Sequence, residues 1–230
     1  MSDHPVLLSR PEAEIEVRKA ARGLARAGLV GAYGHCSVRL SDAELLVCAS
    51  KAMGTILPGE PGVLVPINGD LPAGVLGEVR LHQHIYRTRP DVGAVCRVFP
   101  RDVLTMSVLG QPPKLRHGLS AFFYPAPAFW NDVKLIRTEE LAAEAVATLG
   151  SNAGIILRGN GAVVVAANMA RAVSLAVYLE DMCRIELAAL ASGLEAQAPQ
   201  LTAEEASRRA DWNGRVEQRM WAHLTFGDPE

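Results

Sequence analysis

Residues 77–100 read GEVRLHQHIYRTRPDVGAVCRVFP, and the order of a helix and then a strand within them decides the fold class. Glu78, His82 and Tyr86 recur at i, i+4 and i+8, which puts them along one helix face. The helix is expected from about Glu78 to Arg87, ending near Pro90, because the residue before a proline avoids helical backbone. A strand follows over Gly93–Phe99 and stops at Pro100, which has no N–H for a ladder. Inside it, Arg97 stands in an apolar run, AVCRVF, where a charged side chain must be paired or functional. Side chains alternate along a strand, so Arg97 and Phe99 share a face.

Helices and strands continue on both sides of this unit. Upstream, Ser9 and Glu12 have capping-box spacing, Pro11 sits in the first turn, and Ile15, Ala20, Leu24 and Ala27 form an apolar stripe that Gly28 closes. Residues 45–49 (LLVCA) and 63–66 (VLVP) read as short strands. Downstream, 138–149 is an amphipathic helix, and Gly154–Leu157 and Ala162–Ala166 are strands around a Gly-Asn-Gly turn. The longest helix runs from about Ala170 to Ala191. After a Gly/Pro/Gln stretch, a final charged helix carries Trp212 and Trp221 at apolar positions. There is no repeat. The irregular alternation suggests a mixed sheet flanked by helices rather than a Rossmann winding.

Composition narrows the function classes. With 49% hydrophobic and 21% charged residues over 230 positions, the chain can bury one sizeable core and is not of disordered type. A formal charge of −2 gives no electrostatic reason to expect nucleic acid or an anionic membrane as partner. The opening MSDHPVLLSRPEAEIE lacks the apolar run of a secretory signal, and no stretch approaches a membrane span. Cys36, Cys48, Cys96 and Cys183 are scattered without a CxxC pair, as thiols in a reducing cytoplasm would be.

Several residues carry possible chemistry, each with a structural alternative. In GAYGHCSVR (31–39), two glycines allow a tight turn, after which His35 and Ser37 can point donors at an anion. Glu78 is either a general base at a helix N-terminus or a capping acid, and His82 either belongs to that site or is a core histidine. His82 and His84 are two apart, so their rings diverge and make no metal pair. Arg97 suits bidentate capture of a carboxylate, and Arg158 and Asn160 flank the later turn; for either arginine a salt bridge is the alternative.

Taken in order, these segments resemble the class II aldolase/adducin family over roughly residues 12–191. GHCSVR resembles its G-N/H-x-S-x-R loop. GEVRLHQHIYRTRPDVGAV resembles its E-x-x-x-H-x-x-x-Y-x-x-R-P-D-x-x-A-V segment. LRGNGAVVV, with the helix bearing Leu179 and Glu180, resembles its L-x-x-H-G segment and following L-E helix. The ending RMWAHLTFGDP is similar to that of a decarboxylase-like branch. The resemblance implies an α/β fold with a mixed, mainly antiparallel central sheet covered by helices on both faces. It also implies a homotetramer with sites between subunits. The family domain is expected over 1–195, with a C-terminal helical tail over 196–230.

The resemblance also implies a degenerate metal site. The family's H-x-H pair and third histidine fall on Arg97, Phe99 and Asn160 here, whereas its acid/base carboxylate falls on Glu78. Its two phosphate-binding serines fall on Leu76 and Gly77, which speaks against a sugar phosphate. The expectation is a cytoplasmic lyase with aldolase- or decarboxylase-type chemistry on a small carboxylate or hydroxy-acid, with no cofactor. Glu78 and Arg97 are its candidate catalytic groups; His35, Ser37, Ser50, Lys51, His117, Arg158 and Asn160 are its candidate substrate contacts. Two alternatives stand: a non-catalytic binding or scaffold protein, and an enzyme with a divalent metal elsewhere, on some of His35, His82, His84 and His117. Phe122, Phe123, Phe129 and Trp130 are expected to form an apolar patch buried in a closed oligomer.

Overall fold

The computed structural model describes residues 5–230; residues 1–4, which open both the expected family domain and the stretch read as lacking a signal, lie outside it. In chain order the elements are α1 (Arg10–Arg26), β1 (His35–Arg39), β2 (Glu44–Val47), β3 (Val63–Pro66), α2 (Val79–Thr88), β4 (Ala94–Val98), α3 (Arg101–Val108), β5 (Ala128–Trp130), α4 (Glu139–Leu149), β6 (Gly154–Leu157), β7 (Ala162–Ala166), α5 (Met169–Ser192), α6 (Ala203–Arg209) and α7 (Val216–Leu224). The seven strands form one sheet in the order β3-β2-β1-β4-β7-β6-β5. Every pairing is antiparallel except β5 with β6. The fold is thus α/β with a mixed, mainly antiparallel sheet.

Strand alternation feeds two separate cores. On one face Cys36, Val38, Leu46, Cys96 and Val164 pack with α1, α3 and α5 residues such as Leu24, Met106 and Leu179. On the other, Leu45, Val47, Val95, Ile155 and Val163 pack with Ile85 and Tyr86 of α2 and Ala142 and Leu149 of α4. Burying each large aliphatic side chain contributes about 1.5–3 kcal/mol, so both faces need their helices.

Polar contacts, one local and the others long-range, fix the helix ends. The Glu12 carboxylate accepts from Ser9 N at 2.9 Å, closing the capping box that starts α1. The N-cap of α3 is Pro100, with no side chain to offer; Glu180 of α5 supplies the acceptor instead, taking Asp102 N and Val103 N at 3.0 Å each. Buried Arg39 donates to Tyr86 O at 2.6 Å and Arg89 O at 3.0 Å, closing the C-terminal end of α2. The last residues bind α1: Asp228 and Glu230 meet Arg22 at 2.6 and 2.8 Å, and Glu230 meets Arg18 at 2.6 Å.

The polar cluster after the glycine turn, His35–Arg39, forms a strand that the sequence did not indicate. Two expectations change. The final helix is two short ones, with Trp212 in the connection, 4.2 Å from the Phe122 ring. The aromatic segment is not a surface patch. Phe123 and Trp130 are buried, and Phe122 and Phe129 pack against the core, Phe122 stacking on Tyr178 of α5. Large apolar side chains are exposed instead at Tyr33, Leu57, Leu76, Val133 and Leu135.

Candidate functional site

A cleft of about 520 Å³ opens where the start of β1, the end of β4, the N-terminus of α2 and the β6–β7 turn meet. His35, Ser50, Lys51, Glu78, Phe99 and Asn160 are among its lining residues. Two glycines permit this convergence. A Cβ on Gly34 would stand 2.7 Å from Val30 Cγ1 and 3.0 Å from Arg97 O, and one on Gly161 would stand 2.3 Å from Val98 O. Both glycines also have positive φ, at 129° and 69°, which side chains disfavour.

Arg97 is not itself on the cleft surface; it lies behind the lining residues His35, Glu78 and Phe99, 1% exposed. Its Nε is 3.6 Å from Glu78 Oε2, its Nη1 donates to Val98 O and Ala162 O at 3.2 Å each, and its guanidinium stacks 4.0 Å from the Phe99 ring centre. Nη2 has no partner. Burial pulls the Arg97 pKa down to about 10 against the opposing pull of Glu78, so it stays cationic at neutral pH.

Beside it runs a buried chain of hydrogen bonds. Strand pairing sets His35 opposite Arg97. His35 Nδ1 meets His82 Nε2 at 2.9 Å, His82 Nδ1 meets Ser37 Oγ at 2.7 Å, and Ser37 Oγ meets the Tyr86 hydroxyl at 3.0 Å. The Tyr86 hydroxyl also donates to Ser37 O at 2.9 Å. Burial, reinforced by the Arg97 charge, pushes His35 down to about 3; burial, then His35 and Arg97, hold His82 well below the usual histidine range. Both rings are therefore neutral.

The candidate residues divide accordingly. His35, Ser50, Lys51, Glu78 and Asn160 face one cleft, with Arg97 beneath them. Ser37 is fully buried and turned to His82 and Tyr86, because β1 sends it to the α2 face; it is no direct anion donor. His117 and Arg158 do not line this cleft. His117 begins the helical turn 118–123 on the α6 side of the sheet, where Gly118 packs against Arg209. Arg158 follows β6 with its Nε buried and unpartnered. Ser50 and Lys51 are exposed at the rim, where Lys51 pairs with Glu60 at 3.2 Å. Sequence reasoning missed Arg137, an exposed cation of the cleft wall whose side chain lies along Gly77. Nothing local distinguishes it: it belongs to no periodic element and forms no side-chain hydrogen bond or ion pair among the described residues. A wider depression of about 670 Å³ shares Arg137, but its Arg80 and Arg87 already face Glu139.

The donor set does not fit the family's metal. A guanidinium, a phenyl ring and an amide occupy the three histidine positions, and a cation there repels a second cation. The other histidines do not compensate. His84 faces Glu139 at 2.8 Å on another side of α2, and among the described residues no group of three or more His, Cys, Asp or Glu is placed to hold a metal.

A seven-stranded, mainly antiparallel sheet with helices on both faces defines a class II aldolase fold. The chain belongs to the Class II Aldolase and Adducin N-terminal domain family, whose model matches residues 15–187. It is 29% identical over 202 residues, 78% of this chain and 80% of the relative, to a 3,4-dihydroxyphthalate decarboxylase of Terrabacter sp. (strain DBF63). It is 28% identical over 172 residues, 71% and 75% of the two chains, to a 5-methylthioribulose-1-phosphate/5-deoxyribulose-1-phosphate aldolase of Rhodospirillum rubrum. Its fold matches that of an L-fuculose 1-phosphate aldolase from Glaciozyma antarctica PI12 with a TM-score of 0.77 at 21% identity, covering 97% and 93% of the chains. These relatives are aldolases and decarboxylases, that is, lyases. Among the described residues, no helix is long and apolar enough to cross a membrane.

Proposed function

We propose that this cleft breaks a C–C bond in a small, non-phosphorylated carboxylate or hydroxy-acid through an enolate-like intermediate, without a divalent metal. The observation that carries the proposal is the Glu78 carboxylate on the cleft wall, facing the otherwise sealed Arg97 guanidinium. In a decarboxylation the electrons of the C–CO₂⁻ bond pass into the conjugated remainder of the substrate and CO₂ leaves. Glu78 then delivers a solvent-derived proton to the carbon that lost it. Arg97 holds a carboxylate that the substrate keeps and stabilises the negative charge as it develops, the role an electrophile fixed in a dry site performs best.

The cleft chemistry supports this substrate class. Leu76 and Gly77 line it and offer no phosphate-binding hydroxyls. Lys51 and Arg137 place cations at its rim for a second acid group, and exposed Lys51 leaves Glu60 at little cost. The similarity to decarboxylases of a dihydroxylated aromatic diacid makes such acids the first to test. We further propose a cytoplasmic closed oligomer, a tetramer by preference, that takes neither nucleic acid nor membrane as partner.

A second reading, a binding or scaffold protein without turnover, draws on the near-complete burial of Arg97 behind Phe99. The test is CO₂ and aldehyde release from a panel of hydroxylated aromatic acids and aliphatic hydroxy-acids. The lyase reading expects turnover by wild type and, from Glu78→Gln, binding of the same acid with no turnover. An acid bound but never converted by wild type would favour the binder.

A further inference from the structure

The hydrogen-bond chain beside the cleft has a determinable direction. The Tyr86 hydroxyl has one proton, and it is given to Ser37 O. At its 3.0 Å contact with Ser37 Oγ it must therefore accept, so the Ser37 hydroxyl donates to Tyr86. Ser37 Oγ must then accept from His82 Nδ1–H. A neutral imidazole carries one proton, so His82 Nε2 is bare and accepts from His35 Nδ1–H. By the same count His35 Nε2 carries no proton. In the opposite direction Ser37 gives its proton to His82, and the single Tyr86 proton can serve Ser37 O or Ser37 Oγ but not both, a buried loss of one bond.

His35 Nε2 is buried, has no partner, and belongs to a ring lining the cleft. Beside it on the facing strand, Arg97 Nη2 is buried and equally unpartnered. One is an acceptor and the other a cationic donor, so a ligand that satisfies both offers a hydrogen-bond donor to the first and an acceptor to the second; in a hydroxy-acid these are the hydroxyl and a carboxylate oxygen. A carboxylate alone would leave His35 facing another acceptor.

We propose that His35 is a specificity-determining residue whose bare Nε2 accepts a substrate hydroxyl adjacent to the carboxylate held by Arg97, and that Tyr86, Ser37 and His82 are positioning residues that fix its tautomer. The substrate class is then an ortho-hydroxy aromatic acid or a 2-hydroxy acid. This rests on the proposed carboxylate site at Arg97, but the tautomer is a property of the free protein and is measurable whether or not turnover occurs.

The deciding experiment is two-bond ¹H–¹⁵N correlation NMR of ¹⁵N-histidine-labelled protein at neutral pH, with His35 assigned by its absence in His35→Ala. The expected spectrum has His35 protonated at Nδ1 and bare at Nε2. Tyr86→Phe removes the anchor, frees Ser37 to donate to His82, and should populate the Nε2–H form of His35; a merely structural Tyr86 would leave the tautomer alone. In calorimetry, wild type should bind salicylate about tenfold more tightly than benzoate, and His35→Ala should bring the ratio near unity. A wild-type Nε2–H signal, or a Tyr86→Phe spectrum unchanged in its tautomers, overturns the assigned direction. Equal affinity for the two acids, or no binding of either, overturns the hydroxyl assignment.

Discussion

Glu78 Oε2 lies 3.6 Å from Arg97 Nε, close enough to be an ion pair and too far to be a hydrogen bond. The guanidinium is nonetheless sealed, so the carboxylate is its nearest balancing charge. Breaking a buried pair from one side costs about 3–5 kcal/mol, whereas removing both charges costs less. Glu78→Gln alone should therefore destabilise the fold by about 3 kcal/mol, and Glu78→Gln with Arg97→Met by less than the two single changes summed. Urea denaturation of the four proteins checks this. Simple additivity would mean that the two charges do not sense each other.

Legibility in the sequence followed how local each signal was. The strands around Gly159 and the capping box of α1 were readable because their determinants lie within a few residues. Strand β1 was not, because HCSVR alternates polar side chains into a network whose partners, His82 and Tyr86, lie over forty residues away. Helix α3 was missed because its N-terminal acceptor is Glu180. Phe122 was misassigned to a surface because hydrophobicity alone does not say which body covers a side chain; here it is Tyr178 of α5 and Trp212. The cleft was legible in its family-matched positions, while Arg137 reaches it only through the tertiary path of an irregular segment.

Glu16 on α1 makes no hydrogen bond or ion pair among the described residues, and burial pushes it from 4.5 up to about 7. The folded chain therefore holds this proton more tightly than the unfolded chain does. Its favourable contribution is complete below pH 4.5 and is lost as pH rises through 7. The total is roughly 3 kcal/mol for a shift of this size. Glu16→Gln should accordingly raise the thermal midpoint at pH 8 and leave it nearly unchanged at pH 4.5. A variant equally stabilised at both values would place the effect outside ionisation.

Protein purified without added metal should carry well under one equivalent of zinc, manganese or iron. Arg97, Phe99 and Asn160 give no shell of the three or four donors such ions require. Elemental analysis of the purified chain measures this. Stoichiometric metal lost on His35→Ala would shift the reading to a metal enzyme with a relocated site.

Tyr33, Leu76 and Leu135 stand exposed around the cleft mouth, with Leu57 and Val133 exposed nearby in the chain. Apolar groups so gathered are costly in water, and a closed symmetric assembly can cover them. Light scattering at micromolar concentration should give a closed oligomer, and Leu135→Glu should weaken it. A wild-type monomer would count against any site shared between subunits.

Arg97 separates the lyase from an inert fold most directly. Its Nη1 is satisfied by Val98 O and Ala162 O, its Nε faces Glu78, and only Nη2 lacks a partner. If the arginine serves the fold alone, Arg97→Met should lower stability and leave the affinity for carboxylic acids per folded molecule unchanged. If Nη2 receives a substrate carboxylate, the same variant should lose about ten- to a hundredfold in affinity, the worth of a charge-assisted contact of about 1.5–3 kcal/mol. Methionine fills much of the arginine stem's volume and adds no polar group, so the packing against Phe99 survives better than with alanine. The measurement is a thermal-shift panel of hydroxylated aromatic acids and aliphatic hydroxy-acids on wild type and Arg97→Met, with circular dichroism to establish that both are folded. Hits should stabilise wild type and leave Arg97→Met unmoved at the same concentration. An acid that stabilises both equally has another receptor, with Lys51 and Arg137 at the rim the next residues to change, and Arg97 would then be a structural charge held by Glu78.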